Sequence, residues 1–286
     1  MNTKRMLSVL IAGLAGLLFW QFGFGALFPW SPIKPGYSSR QFAAGTVYFP
    51  SDLIPNPQYA ETDRLIQEVQ QALHLQFGRK VKVIVCSDWK RFNRGMLTFQ
   101  GSHPQEVLGA TLQTGDVIYL SPLLLEPQRD AARALKHELC HALLYQNTTL
   151  QNSFRLARVH WLIEGLGVSN GNAEDYLSAE RWHALAVQGG YLFPIEANPH
   201  IERMPLSIGA PFMLSEYRFF IEFLVDHYGH ERLQAYIASL LASAREPEQT
   251  FAKVYGFTLD QADKSFGEAV HRGEWPPLPE HPHKGP

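Results

Sequence analysis

The chain has 286 residues, and its 25 basic and 27 acidic side chains give a formal net charge of −2 and an isoelectric point near 6.6. This balance provides no basic surface for a phosphate backbone, so we expect no nucleic-acid partner. The two cysteines, Cys86 and Cys140, are too few for a disulfide framework. We expect two packed thiols, with a single bridge between them as the alternative.

The N-terminal thirty residues are strongly apolar. Lys4 and Arg5 precede the stretch Met6–Trp20, which is apolar except for Ser8, and apolar character continues through Phe28 broken only by Gln21. About twenty apolar residues match the hydrocarbon layer of a bilayer, and the basic pair places the N-terminus in the cytoplasm. We therefore expect residues 1–30 to be a signal anchor, a single transmembrane helix with the rest of the chain outside the cytoplasm. A cleaved signal peptide, leaving a secreted or periplasmic protein, is the alternative.

The rest of the chain predicts an α+β domain. Prolines through residues 31–57 indicate an extended linker, and residues 58–272 are enough for one well-packed domain. Within it we predict helices and strands in the following order: a helix over 59–77, strands over 80–86 and 115–120, a helix over 128–146 with Pro127 in its first turn, and a helix-rich part over 211–272. The Pro-rich residues 273–286 predict a disordered tail.

The most informative motif is HELCH, formed by residues 137–141. On a helix, His137 and His141 project from one face and can bind one metal ion. Glu138 lies on the adjoining flank, where its carboxylate can act on a water molecule rather than on the metal. The alternative is two core histidines with ordinary hydrogen bonds and a solvated glutamate.

A second helix follows, with a buried stripe formed by Leu156, Val159, Ile163 and Leu166. Glu164 borders this stripe, where a carboxylate is costly unless it is paired or binds a cation. It is therefore a candidate third ligand, and an ordinary surface glutamate is the alternative. His160, one turn earlier, and Cys140 are competing ligands that we favour less.

HELCH followed by Trp161-Leu162-Ile163-Glu164-Gly165 resembles the gluzincin metallopeptidases, in particular the peptidase MA-like group. The resemblance extends from about Lys80 to Arg272 and includes Gly109-Ala110 as part of the strand region before the metal helix. It implies a zincin-like fold with a small sheet packed on the HExxH helix. It also implies Zn²⁺ bound by His137, His141 and Glu164, with Glu138 as the general base.

The chain departs from that family pattern at Val168, and its oxyanion-stabilising residue is not fixed by a motif. Some gluzincins carry an aspartate four residues after the glutamate ligand, and this chain has Val168 there. Ser169, Asn170 or a backbone carbonyl would then have to support the ligands. The family often has an oxyanion-stabilising tyrosine or histidine, for which Tyr217 is our candidate. Packing of Tyr217 in the core is the alternative.

These observations predict an exported zinc metallopeptidase, anchored in the membrane, that acts on a peptide or protein substrate. Two alternatives remain open. One is a zinc-binding module at the membrane without activity, and the other is a zinc amidase acting on a cell-envelope amide. The motif indicates metal-assisted hydrolysis but says nothing about the substrate or the oligomeric state.

Overall fold

The computed structural model describes residues 3–25, 27–95, 107–171, 176–196 and 206–277. Over these residues the protein is α+β, with a small sheet and a mostly helical C-terminal half, as the sequence predicts. The chain divides into two compact units. Unit 1 comprises Met1–Glu68 and Phe77–Ala142, and unit 2 comprises Val69–Gln76 and Leu143–Pro286.

The strands of the described chain are β1 (Tyr37–Phe42), β2 (Gly45–Pro50), β3 (Val81–Val85), β4 (Gly109–Thr111) and β5 (Val117–Leu120). The helices are α1 (Thr3–Phe24), α2 (Thr62–Leu73), α3 (Trp89–Gly95), α4 (Ala131–Gln146), α5 (Leu150–Leu156), α6 (His160–Asn170), α7 (Ala179–Val187), α8 (Leu206–Tyr228), α9 (His230–Ala242), α10 (Pro247–Tyr255) and α11 (Leu259–His271).

The sheet lies in unit 1 and has the strand order β1-β2-β3-β5-β4. The inner strands β3 and β5 are parallel neighbours, and their runs of branched apolar residues are almost completely buried. The short strand β4 pairs antiparallel with β5 and forms one edge of the sheet. Its register places Gly109 opposite Leu120 and Thr111 opposite Ile118. This edge adjoins helix α4, which carries the HELCH motif.

The N-terminal helix α1 has 22 residues, and its large apolar side chains, such as Leu10, Leu14 and Phe19, are exposed. Among the residues that the structure describes, we find no helix with the length and apolar character needed to cross a membrane. The predicted transmembrane helix therefore has no support from the structure.

The segment predicted to be an extended linker carries regular structure. Strands β1 and β2 lie inside residues 31–57, and Phe28, just before them, is only 1% exposed. The Lys34 ammonium donates hydrogen bonds to the carbonyl oxygens of Phe28, Pro29 and Ser31 at 2.8–3.2 Å. Burial lowers the pKa of Lys34 to about 8, and the nearby charge of Lys82 adds to the shift. Residues predicted to be a spacer are thus packed into unit 1.

The helix boundaries around the motifs differ from the sequence-based ones. Helix α4 begins at Ala131, so Pro127 lies before the helix and not in its first turn. The predicted single helix over 156–166 is two helices, α5 and α6, separated at residues 157–159. The backbone of Val159 leaves the helical region there, with ψ of 64°. No proline or glycine marks the break in the sequence.

Unit 2 has an aromatic core. Trp161, at the start of α6, stacks on Tyr236 of α9 with a centroid distance of 6.0 Å and meets Phe220 of α8 edge-on at 5.2 Å.

Beyond α11, Trp275 is buried, and its indole nitrogen donates to the carbonyl oxygen of Phe219 at 3.0 Å. The packed chain therefore extends past the predicted boundary at Arg272. Residues 278–286 of the predicted tail lie outside the described residues.

Candidate metal centre

The two histidines of the HELCH motif converge on one point in unit 1. Helix formers fill α4, and the spacing of four residues brings the imidazoles of His137 and His141 to the same face. Their Nε2 atoms are 2.9 Å apart, and the rings meet edge-on with centroids 4.6 Å apart. His141 is buried and His137 is half-buried. The two nitrogens can therefore coordinate one cation at a site with little exposure to solvent.

The carboxylate of Glu138 lies beside these nitrogens. One ligand atom from each of His137, Glu138 and His141 falls within 4.8 Å of the others. Glu138 is 6% exposed, and the Oγ1 hydroxyl of Thr111 donates to its Oε2 at 2.7 Å. No other group of three or more histidine, cysteine or acidic side chains with this geometry occurs in the described part of the chain.

The donor set fits Zn²⁺. Imidazole nitrogens and carboxylate oxygens are common zinc ligands. In a tetrahedral zinc site, bond lengths of 2.0–2.1 Å place two nitrogens about 3.3 Å apart. The 2.9 Å between the two Nε2 atoms is close to that value and requires only a small adjustment of the side chains. His137, His141 and the adjacent carboxylate thus form a site suited to zinc.

The positions next to the motif tie α4 into unit 1. Lys136, just before His137, forms an ion pair with Glu68 of α2 at 2.8 Å. The hydrogen bond from Lys136 lowers the pKa of the Glu68 carboxyl. Leu135 and Leu139 are fully buried on α4. Buried apolar contacts and the Lys136–Glu68 ion pair beside the first histidine therefore hold helix α4 in place.

The competing cysteine and histidine ligands receive no support. Cys140 is fully buried, and it is not part of the His137–Glu138–His141 group. Cys86 is also buried, and neither cysteine is in a disulfide, so the expectation of two packed thiols is confirmed. His160 is exposed at the start of α6 in unit 2.

Glu164 and Tyr217 are neighbours within unit 2. Glu164 lies on α6 and Tyr217 on α8, and the two helices approach closely at Gly165. A Cβ atom at Gly165 would lie 2.8 Å from the carbonyl oxygen of Tyr217 and from Cγ1 of Ile221. Burial raises the pKa of Tyr217, and the charges of Glu216 and Glu164 raise it further. Tyr217 is only 2% exposed, and this burial is the largest cause of its raised pKa. Glu164 remains a predicted ligand and Tyr217 a predicted oxyanion donor.

Support for the ligands from the residues after Glu164 stays a prediction. The side-chain amide of Asn170 donates to the carbonyl oxygen of Leu166 in its own helix at 2.8 Å. Glu216, beside Tyr217, is fully buried. Glu216 was not recognised from the sequence as a buried carboxylate. Its position within the apolar run of α8 is the same kind of signal that made Glu164 a candidate.

Thr111 and Gly109 were also missed as neighbours of Glu138. A Cβ atom on Gly109 would lie 2.6–2.8 Å from Cγ, Cδ and Oε1 of Glu138. The sequence analysis assigned Gly109 to a strand but gave it no role at the site. The hydrogen bond from Thr111 and the close approach at Gly109 show that this strand passes along Glu138.

Comparisons with known proteins give only a weak likeness to solved structures. No family model matches the chain, and no curated protein is found similar to it. Among solved structures, the chain is similar to a mutant form of an M1 zinc metallopeptidase from Deinococcus radiodurans. The identity is 16%, the TM-score is 0.43, and the match covers 85% of this chain and 53% of that one. This chain thus spans about half the length of that protein, and a likeness of this size adds no argument about activity.

Proposed function

We propose that this protein is a zinc-dependent metallopeptidase of the gluzincin type, which hydrolyses peptide bonds. The observation that carries the proposal is the group formed by His137, Glu138 and His141, with the two Nε2 atoms 2.9 Å apart and the carboxylate beside them. Two imidazoles on one helix face with an adjacent glutamate are the parts that a hydrolytic zinc site requires.

In this proposal each residue has a separate role. His137 and His141 hold the zinc, and Glu164 is the proposed third ligand. A bound zinc supplies Lewis acidity, which polarises a carbonyl group and activates a water molecule. Glu138 accepts the proton of the attacking water and passes it to the leaving amine.

Tyr217 is proposed to donate a hydrogen bond to the oxyanion of the tetrahedral intermediate. Burial raises the pKa of Tyr217, and this supports the role because a phenol must keep its proton in order to donate a hydrogen bond.

The proposal is tested by assaying the purified full chain in detergent against a peptide library and a cell-wall digest. Each assay is run with and without a chelator, and zinc is then added back to the chelated sample. The proposal expects peptide cleavage that is lost with the chelator and restored by zinc. Release of cell-envelope amide products alone would instead indicate an amidase. Bound zinc without any hydrolysis would indicate a non-catalytic module.

Location and partners rest on the sequence alone. We propose that the chain is exported and that its partner is a peptide or protein substrate. Protease accessibility of an epitope placed at the C-terminus of the chain, in intact and in permeabilised cells, tests the export. Protection of the epitope until the cytoplasmic membrane itself is permeabilised would contradict it.

A further inference from the structure

We infer that the edge strand β4 positions the general base: the Thr111 hydroxyl and the missing side chain at Gly109 together hold the Glu138 carboxylate in one orientation. This inference rests on the proposed function, because it assigns a role in the step that Glu138 performs there. Thr111 is a positioning residue in this scheme, because it acts on the substrate only through Glu138.

The first observation is the contact between Thr111 and Glu138. The Thr111 Oγ1 lies 2.7 Å from Oε2 of Glu138 and 3.0 Å from its backbone carbonyl oxygen. Thr111 is 4% exposed and Glu138 is 6% exposed, so little water competes for the hydroxyl. A hydroxyl that donates to a carboxylate forms a short, strong hydrogen bond, and 2.7 Å lies in that range. The bond therefore restrains the end of a side chain that has three rotatable bonds.

The second observation is the space that Gly109 leaves. An added Cβ would lie 2.7 Å from Oε1 of Glu138 and 2.6 Å from its Cγ, closer than carbon and oxygen atoms can approach. Side chains alternate along a strand, so Gly109 and Thr111 address the same face of β4. One carboxylate oxygen thus meets the Thr111 hydroxyl, and the other occupies the room beside Gly109. Any larger residue at 109 would displace the carboxylate.

The third observation is that β4 itself is held firmly. Its pairing with β5 continues at both ends. The backbone N–H of Leu112 donates to the carbonyl oxygen of Val117 at 3.0 Å, and the backbone N–H of Ser121 donates to the carbonyl oxygen of Leu108 at 2.8 Å. Ala110, between the two positions, faces the other way and packs in the cluster that includes Phe28 and Ile84. The strand is therefore a fixed surface against which Glu138 can be oriented. Orientation matters because a proton-transfer group displaced by about 1 Å can lose on the order of 100-fold in rate.

The test compares three threonine variants of the full chain. Thr111→Val keeps the shape and removes the hydroxyl, whereas Thr111→Ser keeps the hydroxyl. Thr46→Val is the matched control, because Thr46 lies in strand β2 and its buried hydroxyl donates to Gln41 at 2.8 Å, away from Glu138. For each variant, kcat, KM, zinc per chain and the melting temperature are measured.

Thr111→Val should lower kcat about 10- to 100-fold, with KM and zinc content close to those of the wild type and a melting temperature lower by only a few degrees. Thr111→Ser should restore most of kcat, and Thr46→Val should leave it unchanged. Wild-type kcat in Thr111→Val would overturn the inference, and so would equal losses in Thr111→Val and Thr111→Ser.

A crystal structure of the Thr111→Val variant provides a readout that does not depend on activity. The Glu138 carboxylate should have moved from its place beside Gly109 or should occupy more than one rotamer. An unchanged carboxylate would overturn the inference even if the wild type is active. If the wild type binds zinc and hydrolyses nothing, the proposed function fails, and the crystal structure still decides whether Thr111 places Glu138.

Discussion

The Nε2 atoms of His137 and His141 lie 2.9 Å apart on one face of helix α4. This separation follows directly from the four-residue spacing of the two histidines on a helix. Both rings can therefore coordinate one metal ion. The proposal of a zinc-dependent peptidase rests on this pair.

Replacing either histidine should abolish zinc binding. His137→Ala and His141→Ala each remove one of two nitrogens that meet at the same point, so we expect zinc per chain to fall close to zero and hydrolysis to be lost. His160→Ala is the control, because His160 is exposed at the start of α6. Metal analysis of the three purified variants measures the effect. Full zinc content in His137→Ala would contradict the ligand assignment.

Glu138→Gln should separate zinc binding from turnover. The amide keeps the size of the side chain but cannot accept the proton from water, so we expect kcat to fall about 100- to 10,000-fold. Zinc content should remain that of the wild type, because Glu138 is assigned as a base and not as a ligand. Kinetics and metal analysis on the same sample decide this, and loss of zinc from the variant would reverse the roles.

Gly109→Ala should reduce turnover through Glu138. The added methyl would lie within 2.8 Å of the Glu138 side chain, which must then move. We expect kcat to fall at least about tenfold. Gly78→Ala, at an exposed position where nothing lies within 4 Å of an added Cβ and the backbone φ is not positive, tests for a general cost of replacing glycine. An unaltered kcat in Gly109→Ala would show that the carboxylate needs no such space.

Trp275 should contribute strongly to the stability of the protein. Its ring is buried, and its indole nitrogen donates to the carbonyl oxygen of Phe219. We expect Trp275→Ala to lower the free energy of unfolding by about 3–5 kcal/mol. Trp275→Phe, which keeps most of the apolar bulk and loses the hydrogen bond, should cost about 1 kcal/mol. Denaturant unfolding measures both values, and wild-type stability in the alanine variant would show that the chain is not packed at Trp275.

Asp263 should make the stability depend on pH. Burial raises its pKa to about 6, with a further contribution from the charge of Asp260. The folded pKa thus exceeds the unfolded value of about 3.9, so its contribution is fully present below about pH 4 and is lost as the pH rises through 6. Asp263→Asn keeps an acceptor for the Ile195 N–H, which lies 3.2 Å from the Asp263 carboxylate.

Asp263→Asn should therefore raise the melting temperature at pH 8 and leave it nearly unchanged at pH 4. Asp52→Asn makes the same charge change at an exposed position and serves as the control. A melting temperature at pH 8 that does not exceed that of the wild type would show that the Asp263 carboxylate carries no burial penalty.

The sequence predicted the fold class and the position of the two histidines because both depend on local signals. Helix formers and the four-residue spacing are visible around residues 137 and 141. The break between α5 and α6 was missed because it lies at Val159 and no proline or glycine marks it. Strand β1 was missed for a related reason: four of its six residues are exposed, so it lacks the apolar alternation of a half-buried strand.

The contact of Thr111 with Glu138 could not be predicted, because it depends on tertiary pairing. The two residues are 27 positions apart, and only the register of β4 on β5 places the strand beside α4.

X-ray absorption at the zinc K edge of the purified protein tests the central claim most directly. The account predicts one zinc per chain with two imidazole ligands and oxygen ligands at about 2.0–2.2 Å. Glu164→Ala should remove one oxygen ligand and keep both imidazoles. A sulfur ligand at about 2.3 Å, which would have to come from a cysteine such as Cys140, or the absence of zinc from a sample prepared with it, would contradict the account.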